Sequence, residues 1–227
     1  MSAVVKSPKA ISHPQSLQHL ELTFTGFGEM TPPEASRQKV YKQGDVMRIV
    51  LSRDAAPDVK LEAAHLGEHE FLKATPFIQS DAPRLQEIAK EVVGDAEDVL
   101  TATSRISAYV YKHIRDEYVP AYSNALEALD SGRGDCTEHS ILFVAMARAV
   151  GIPARVAVGI AYWPPGDGFG WHAWAEVQAG KSWFSVDPTW NQPIADVTHV
   201  KLADGGPEQQ ARIVMLLGRL KIIHVVL

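Results

Sequence analysis

Gly132-Arg-Gly-Asp-Cys136-Thr-Glu-His-Ser140-Ile-Leu-Phe-Val-Ala-Met-Ala-Arg148-Ala-Val-Gly151 is the stretch that decides how this chain folds. From Ser140 to Val150 it is apolar on nearly every face, with Ser140 and Arg148 the exceptions. A helix of that composition has to be buried. Asp135 is a good N-cap, and Glu138 three residues later completes a capping-box pattern. Gly151 suits a left-handed helix stop, and Pro153 follows it. Cys136 is then the first residue of a buried helix. Its sulfur sits among backbone N–H groups that have no helical partner, at the positive end of the dipole. That setting favours thiolate over thiol, and the thiolate is the nucleophile. Gly132 and Gly134 allow a substrate backbone to come close. The competing reading is that Cys136 is a small buried apolar residue, as free cysteines often are.

Working downstream, Ala154–Tyr162 reads as a strand with Val156, Val158, Ile160 and Tyr162 on one face. After the loop 164–170, two strands, His172–Gln178 and Lys181–Asp187, flank Ala179-Gly180. A hairpin turn centred there pairs 178 with 181, 176 with 183, 174 with 185 and 172 with 187. His172 is then expected directly opposite Asp187, with Cβ atoms about 4.5–5.5 Å apart. A slip of one residue would put the two on opposite faces. A thiolate at a helix entrance, an imidazole and a carboxylate that orients it make a Cys-His-Asp triad. In that triad His172 stabilises the Cys136 thiolate and protonates the leaving amine. Taken singly, His172 also reads as a surface histidine flanked by tryptophans, and Asp187 as a turn residue before Pro188. All five tryptophans fall between 163 and 190, a distribution that core packing of a small sheet explains for most of them.

Working upstream, Ala82-Pro83 opens a helix with the stripe Leu85, Ile88, Ala89, Val92 and Val93, which Gly94 stops. A second helix is expected over about Ala96–Asp116 and a short third over Ser123–Leu129. The first third reads as β-rich, with strands at Leu20–Thr25, Arg37–Tyr41 and Val46–Leu51. His65 and His69 stand four apart and could bind a metal on a helix, but Gly67 weakens that helix and no third ligand accompanies them. The terminal run 222–227 has a strand pattern.

The 227 residues fit one sizeable domain or one domain plus a small appendage, and an apolar fraction of 46% is enough for a core without metal or disulfide. A formal charge of −5 with no Lys/Arg block makes nucleic acid and anionic membrane poor partners. One cysteine excludes an intrachain disulfide and a Cys-rich zinc site. No signal-peptide pattern or membrane-length apolar run is present, so the default expectation is a cytoplasmic chain without membrane insertion.

Four ordered blocks carry a resemblance. They are Gly134-Asp-Cys136-Thr-Glu-His139, Ala147 through Arg155, His172-Ala-Trp-Ala-Glu-Val177, and Trp183 with Val186-Asp-Pro-Thr189. The chain resembles the transglutaminase-like superfamily, strongly over about 125–192 and more loosely over 71–205, where Asp196–Leu202 is included. It looks closest to bacterial members. The resemblance implies an α+β, papain-like core of helices packed on an antiparallel sheet, spanning 71–227 and preceded by the β-rich region 1–70. It puts nucleophile, base and orienting acid at Cys136, His172 and Asp187. No cofactor or metal is called for, and no calcium-binding loop of the animal cross-linking type is recognisable. The expected partner is a protein or peptide substrate. The expected activity is a thiol hydrolase, a cysteine protease before an acyltransferase. Transfer to a lysine amine uses the same triad, and a binding module could keep the fold without chemistry. An oxyanion site would use the Cys136 N–H, with Tyr118 and Asn124 as candidates for its second donor. His139, one turn past Cys136, reads first as a packing residue and second as lining the site.

Overall fold

The computed structural model describes residues 4–66, 69–118, 123–205, 213, 216 and 218–227. In chain order its strands and helices begin with β1 (Val4–Lys6), β2 (His19–Thr25), β3 (Gln38–Gln43), β4 (Val46–Ser52), α1 (Pro83–Val93) and α2 (Val99–His113). Next come β5 (Arg115–Asp116), α3 (Ala125–Ser131), β6 (Arg133–Gly134) and α4 (Cys136–Ala149). The chain closes with β7 (Ala154–Trp163), β8 (Gly168–Ala179), β9 (Ser182–Val186), β10 (Val200–Asp204) and β11 (Lys221–Val226). Two compact units result. One contains residues 1–54, 157–173 and 195–227, the other 55–156 and 174–194. The long strands β7 and β8 contribute residues to both.

In the first unit the period-two pattern is realised as an antiparallel sheet in the order β11-β2-β4-β3. Leu20, Leu22 and Phe24 of β2 pair with Leu51, Ile49 and Met47 of β4, and all six are buried. One face of the pair is therefore a dry apolar surface, which pins its register. The terminal run finds its place as β11 against β2. A second set of strands places β1, β8, β7 and β10 side by side. Polar ties brace this unit internally. Arg37 forms a buried ion pair with Asp54 at 3.0 Å and donates to the carbonyls of Ala195 (3.3 Å) and Asp196 (2.6 Å). The Gln38 side chain donates to Pro33 and Lys201 carbonyls and accepts the Lys201 N–H. Polar groups this deep are tolerated because most of their donors and acceptors are bonded.

In the second unit α1, α2 and α3 each pack against α4. Helix α4 is buried continuously from Glu138 to Ala147, as its apolar composition requires. The Arg148 guanidinium escapes by donating to the carbonyls of Ala154 (2.8 Å) and Lys73 (2.6 Å), and burial pushes its pKa down to about 10. It therefore stays charged at neutral pH. Helix α1 matches expectation, with Leu85, Ala89 and Val93 buried and Gly94 after its end. Helix α2 is shorter than its apolar stripe suggested. The Asp98 carboxylate accepts the Thr101 N–H at 2.8 Å and so fixes the start. Ile114 turns extended, and Arg115–Asp116 pairs in parallel with Arg133–Gly134. Helix α3 starts two residues later than expected because Asn124 and Glu127 form its capping box. Among the described residues no helix is long and apolar enough to cross a membrane. The His65/His69 pair falls outside the residues whose side chains are described.

Candidate active site

Cys136 stands at the first position of α4, where the sequence put it. The Asp135 carboxylate accepts the Thr137 N–H at 2.8 Å, and the Glu138 carboxylate reaches back to the Asp135 N–H at 3.0 Å. Glu138 also accepts the Ser123 N–H at 3.3 Å. Burial raises the affinity of its carboxyl for a proton, which these N–H donors partly offset. The β5–β6 pairing holds the approach to the helix, and Gly134 lies directly against Glu138. Cys136 remains partly exposed while the residues from Glu138 onward are buried. As a first-turn residue its N–H has no carbonyl partner within the helix. The thiol is thus presented at a rigid, capped, electropositive helix entrance.

The neighbouring candidates divide. His139 is buried and its Nδ1 donates to the Asp135 carbonyl at 2.7 Å, which ties the first turn and fixes Nδ1 as the protonated nitrogen of the neutral ring. Tyr118 is 81% exposed. The side-chain oxygen of Asn124 is used in capping α3, accepting the Glu127 N–H at 3.0 Å.

Asp187 is fully buried in a turn after β9. One of its carboxylate oxygens accepts the N–H groups of Thr189 (2.9 Å) and Trp190 (3.3 Å). Its backbone pairs with that of Gln192 in both directions, at 2.8 and 3.0 Å. These bonds hold the carboxylate in one place.

The hairpin register differs from the expected one. β8 and β9 pair Ala175 with Val186, Val177 with Phe184 and Ala179 with Ser182. The turn is therefore Gly180-Lys181, one residue later than expected, and every pairing moves by two. The reason is turn chemistry. A tight hairpin needs positive φ at its first central residue. Gly180 supplies φ +64°, whereas the expected turn would have forced it on Ala179. His172 therefore does not lie directly opposite Asp187. The ladder ends at Ala175–Val186, and Asp187 pairs instead with Gln192. A shift of two keeps alternation intact, so positions 172 and 174 share a face of β8.

His172 belongs to the first unit and is buried at 8% exposure. There its ring lies beside that of His199, centroids 5.6 Å apart and planes tilted by 57°. The His199 Nδ1 donates to the Asp196 carbonyl at 3.1 Å and lies 3.4 Å from the Asp196 carboxylate. One Asp196 carboxylate oxygen accepts both the N–H and the hydroxyl of Thr198, at 2.9 and 2.6 Å. Burial would raise the Asp196 pKa, but the bonds to His199 and Thr198 outweigh it and hold the carboxyl well below the usual carboxylate range. Neither Asp196 nor His199 was assigned a role from the sequence. Asp196-Val-Thr198 is a recognisable side-chain turn signal, but nothing local says which strand it meets.

The tryptophans have separate places. Trp174 is fully buried, as core packing predicts. Trp183 is half-buried, edge-on to Phe71 at 4.9 Å and under the Arg155 guanidinium at 4.2 Å. Trp163 is exposed.

Residues 86–188 match the family model described as the transglutaminase-like superfamily. Over those residues the chain is similar to that superfamily. Members of that superfamily are generally cysteine-dependent enzymes. An uncharacterised protein of Haemophilus influenzae is 31% identical over 130 residues, which take in 51% of this chain and 35% of the relative. The chain thus matches about a third of the length of that relative. Among solved structures, a proposed cysteine protease from Cytophaga hutchinsonii superposes with a TM-score of 0.55 at 18% identity, covering 92% of this chain and 85% of the other. The periplasmic domain of TgpA from Pseudomonas aeruginosa gives a TM-score of 0.49 at 18% identity, over 84% and 89%. The Cytophaga likeness bears on the fold alone, which is mixed helix and antiparallel sheet as the motif blocks implied.

Proposed function

We propose that this transglutaminase-like chain is a thiol hydrolase that cleaves amide bonds, a peptidase, through Cys136, His172 and Asp187. The observation that carries the proposal is the setting of Cys136. A lone, partly exposed thiol opens a buried helix whose N-terminus is capped by Asp135 and Glu138 together. A residue chosen only for packing would not need that entrance, whereas a nucleophile does.

The Cys136 thiolate attacks the carbonyl carbon, and the Cys136 N–H helps hold the resulting oxyanion. The imidazolium of His172 gives its proton to the departing amine as the C–N bond breaks. Water, deprotonated by the same imidazole, then opens the thioester and releases the acid. Asp187, anchored by its bonds to 189 and 190, keeps the ring oriented throughout.

The test is labelling with a peptidyl chloromethyl ketone followed by mass mapping, then turnover of a peptide library that includes a tagged primary amine. The label is expected on Cys136, and hydrolysed peptide is expected as product. Cys136→Ala should retain the fold and show no turnover, and His172→Ala should lose about 10²–10⁴-fold. Tag incorporation in place of hydrolysis would replace the peptidase reading by amine transfer. An unlabelled Cys136 would end the enzyme reading.

A further inference from the structure

We infer that His199, held by Asp196, is a positioning residue that sets the orientation of the His172 imidazole. The inference rests on His172 being the imidazole of the thiol chemistry proposed above.

An imidazole ring turns broadly about its last torsion unless something stops it. At His172 the neighbouring ring of His199 lies 5.6 Å away, centre to centre, with the planes tilted by 57°. That separation is within the contact range of two aromatic rings. A wall works only if it cannot turn itself, and His199 is fastened from behind. It is 1% exposed, and its Nδ1–H donates to the Asp196 carbonyl at 3.1 Å. Asp196 is fastened in turn. Its carboxylate accepts the Thr198 N–H and hydroxyl at 2.9 and 2.6 Å. Its carbonyl accepts the Arg37 guanidinium at 2.6 Å, and Arg37 is itself paired with Asp54 in the interior at 3.0 Å. From Asp54 through Arg37 and Asp196 to His199 runs a chain of buried, bonded polar groups, and it ends beside the ring of His172.

Such a chain is costly to bury, and an apolar side chain at 199 would fill the space with less penalty. The turn alone does not account for it, because Asp196 and Thr198 make that turn between themselves. What the imidazole at 199 adds is a ring fixed in place beside that of His172.

Iodoacetamide alkylation of Cys136 in the full chain, followed by mass spectrometry at pH 6 and at pH 9, tests the role. An ordinary thiol is mostly protonated at pH 6 and largely ionised at pH 9. Reaction at pH 6 therefore reports a correctly placed imidazole partner. His199→Ala is expected to slow the pH 6 reaction by about 10–100-fold, as small misplacements of a reacting group do. At pH 9 the change should be less than about twofold, because solvent then ionises the thiol unaided. His199→Asn separates positioning from mere scaffolding. Its amide can still donate to the Asp196 carbonyl and so restore the turn, but it offers no ring and should react as slowly as His199→Ala. His172→Ala serves as the reference. If His172→Ala is slow while both His199 variants react at the wild-type rate, the positioning role is wrong and the thiol chemistry stands. If His172→Ala also reacts at the wild-type rate, the chemistry itself is wrong and this inference falls with it. Should the His199 variants not fold, imidazole NMR of the wild-type protein decides. A ring-to-ring Overhauser contact between 172 and 199 and a single His172 tautomer are expected, and their absence overturns the inference.

Discussion

Gly134→Ala should break the entrance to α4, and its cost follows from the contacts around it. A Cβ built on Gly134 would lie 2.6 Å from Glu138 Cγ and closer still to Glu138 Cβ, inside the 3.0 Å that real Cβ atoms respect. Shortening the Glu138 side chain does not relieve this, since the nearest atom is its own Cβ. Either the backbone at 134 or the first turn of α4 has to move. Glu138 holds the Asp135 N–H at 3.0 Å and the Ser123 N–H at 3.3 Å, so displacing it loosens the capping box and the segment before α3. Loss of a helix cap costs about 1 kcal/mol. Forcing an extra methyl into a packed site costs about 1–3 kcal/mol. A destabilisation of about 2–4 kcal/mol is expected, read from urea unfolding at constant m-value. Alkylation of Cys136 by iodoacetamide at pH 6 should fall in the same variant under conditions where it is still fully folded, because the thiol sits two residues away on the displaced turn. A variant within about 0.5 kcal/mol of wild type, with unchanged alkylation, would refute the claim that Gly134 and Glu138 together shape this entrance.

Asp187→Asn keeps an oxygen for the N–H groups of Thr189 and Trp190, so it should unfold close to wild type yet lose turnover on the order of 10⁴-fold. Asp187→Ala removes that acceptor as well and should cost a further 1–3 kcal/mol or so of stability. Gly180→Ala meets no close atom, so its penalty is the φ of +64° alone, about 1–2 kcal/mol in thermal unfolding. Stability against pH should carry two opposed slopes. The folded Asp196 carboxyl binds a proton less readily than the unfolded value of about 3.9 implies, so its contribution is complete above about pH 4 and is lost as the pH falls further. Asp196→Asn should flatten that acid limb. Glu138 has the other sign. Its folded pKa is raised by burial, so its contribution is full below about pH 4.3 and is lost as pH rises through the raised value, a slope that Glu138→Gln should remove.

Much of the chain is legible without coordinates, and particular residues show why. The capping box at Asp135 and Glu138 is a four-residue signal, and the structure realises it bond for bond. The buried run of α4, the stripe of α1 and the alternation of β2 and β4 are equally local. Helix α2 is shorter than its apolar stripe suggests because the cap at Asp98 sets its start. The β8–β9 register was misread by two residues for a related reason. Alternation cannot distinguish shifts of two, and only the φ demanded at Gly180 does.

The sequence by itself determined that a thiol opens a buried helix, because caps, helical period and dipole act within one or two turns of chain. Only the tertiary structure decided that β11 joins β2 across nearly 200 residues, that Arg37 clasps Asp196, and that His199 stands beside His172. Those partners are chosen by which apolar faces and unpaired polar groups meet once the units have closed. No residue near any of them in sequence encodes that choice.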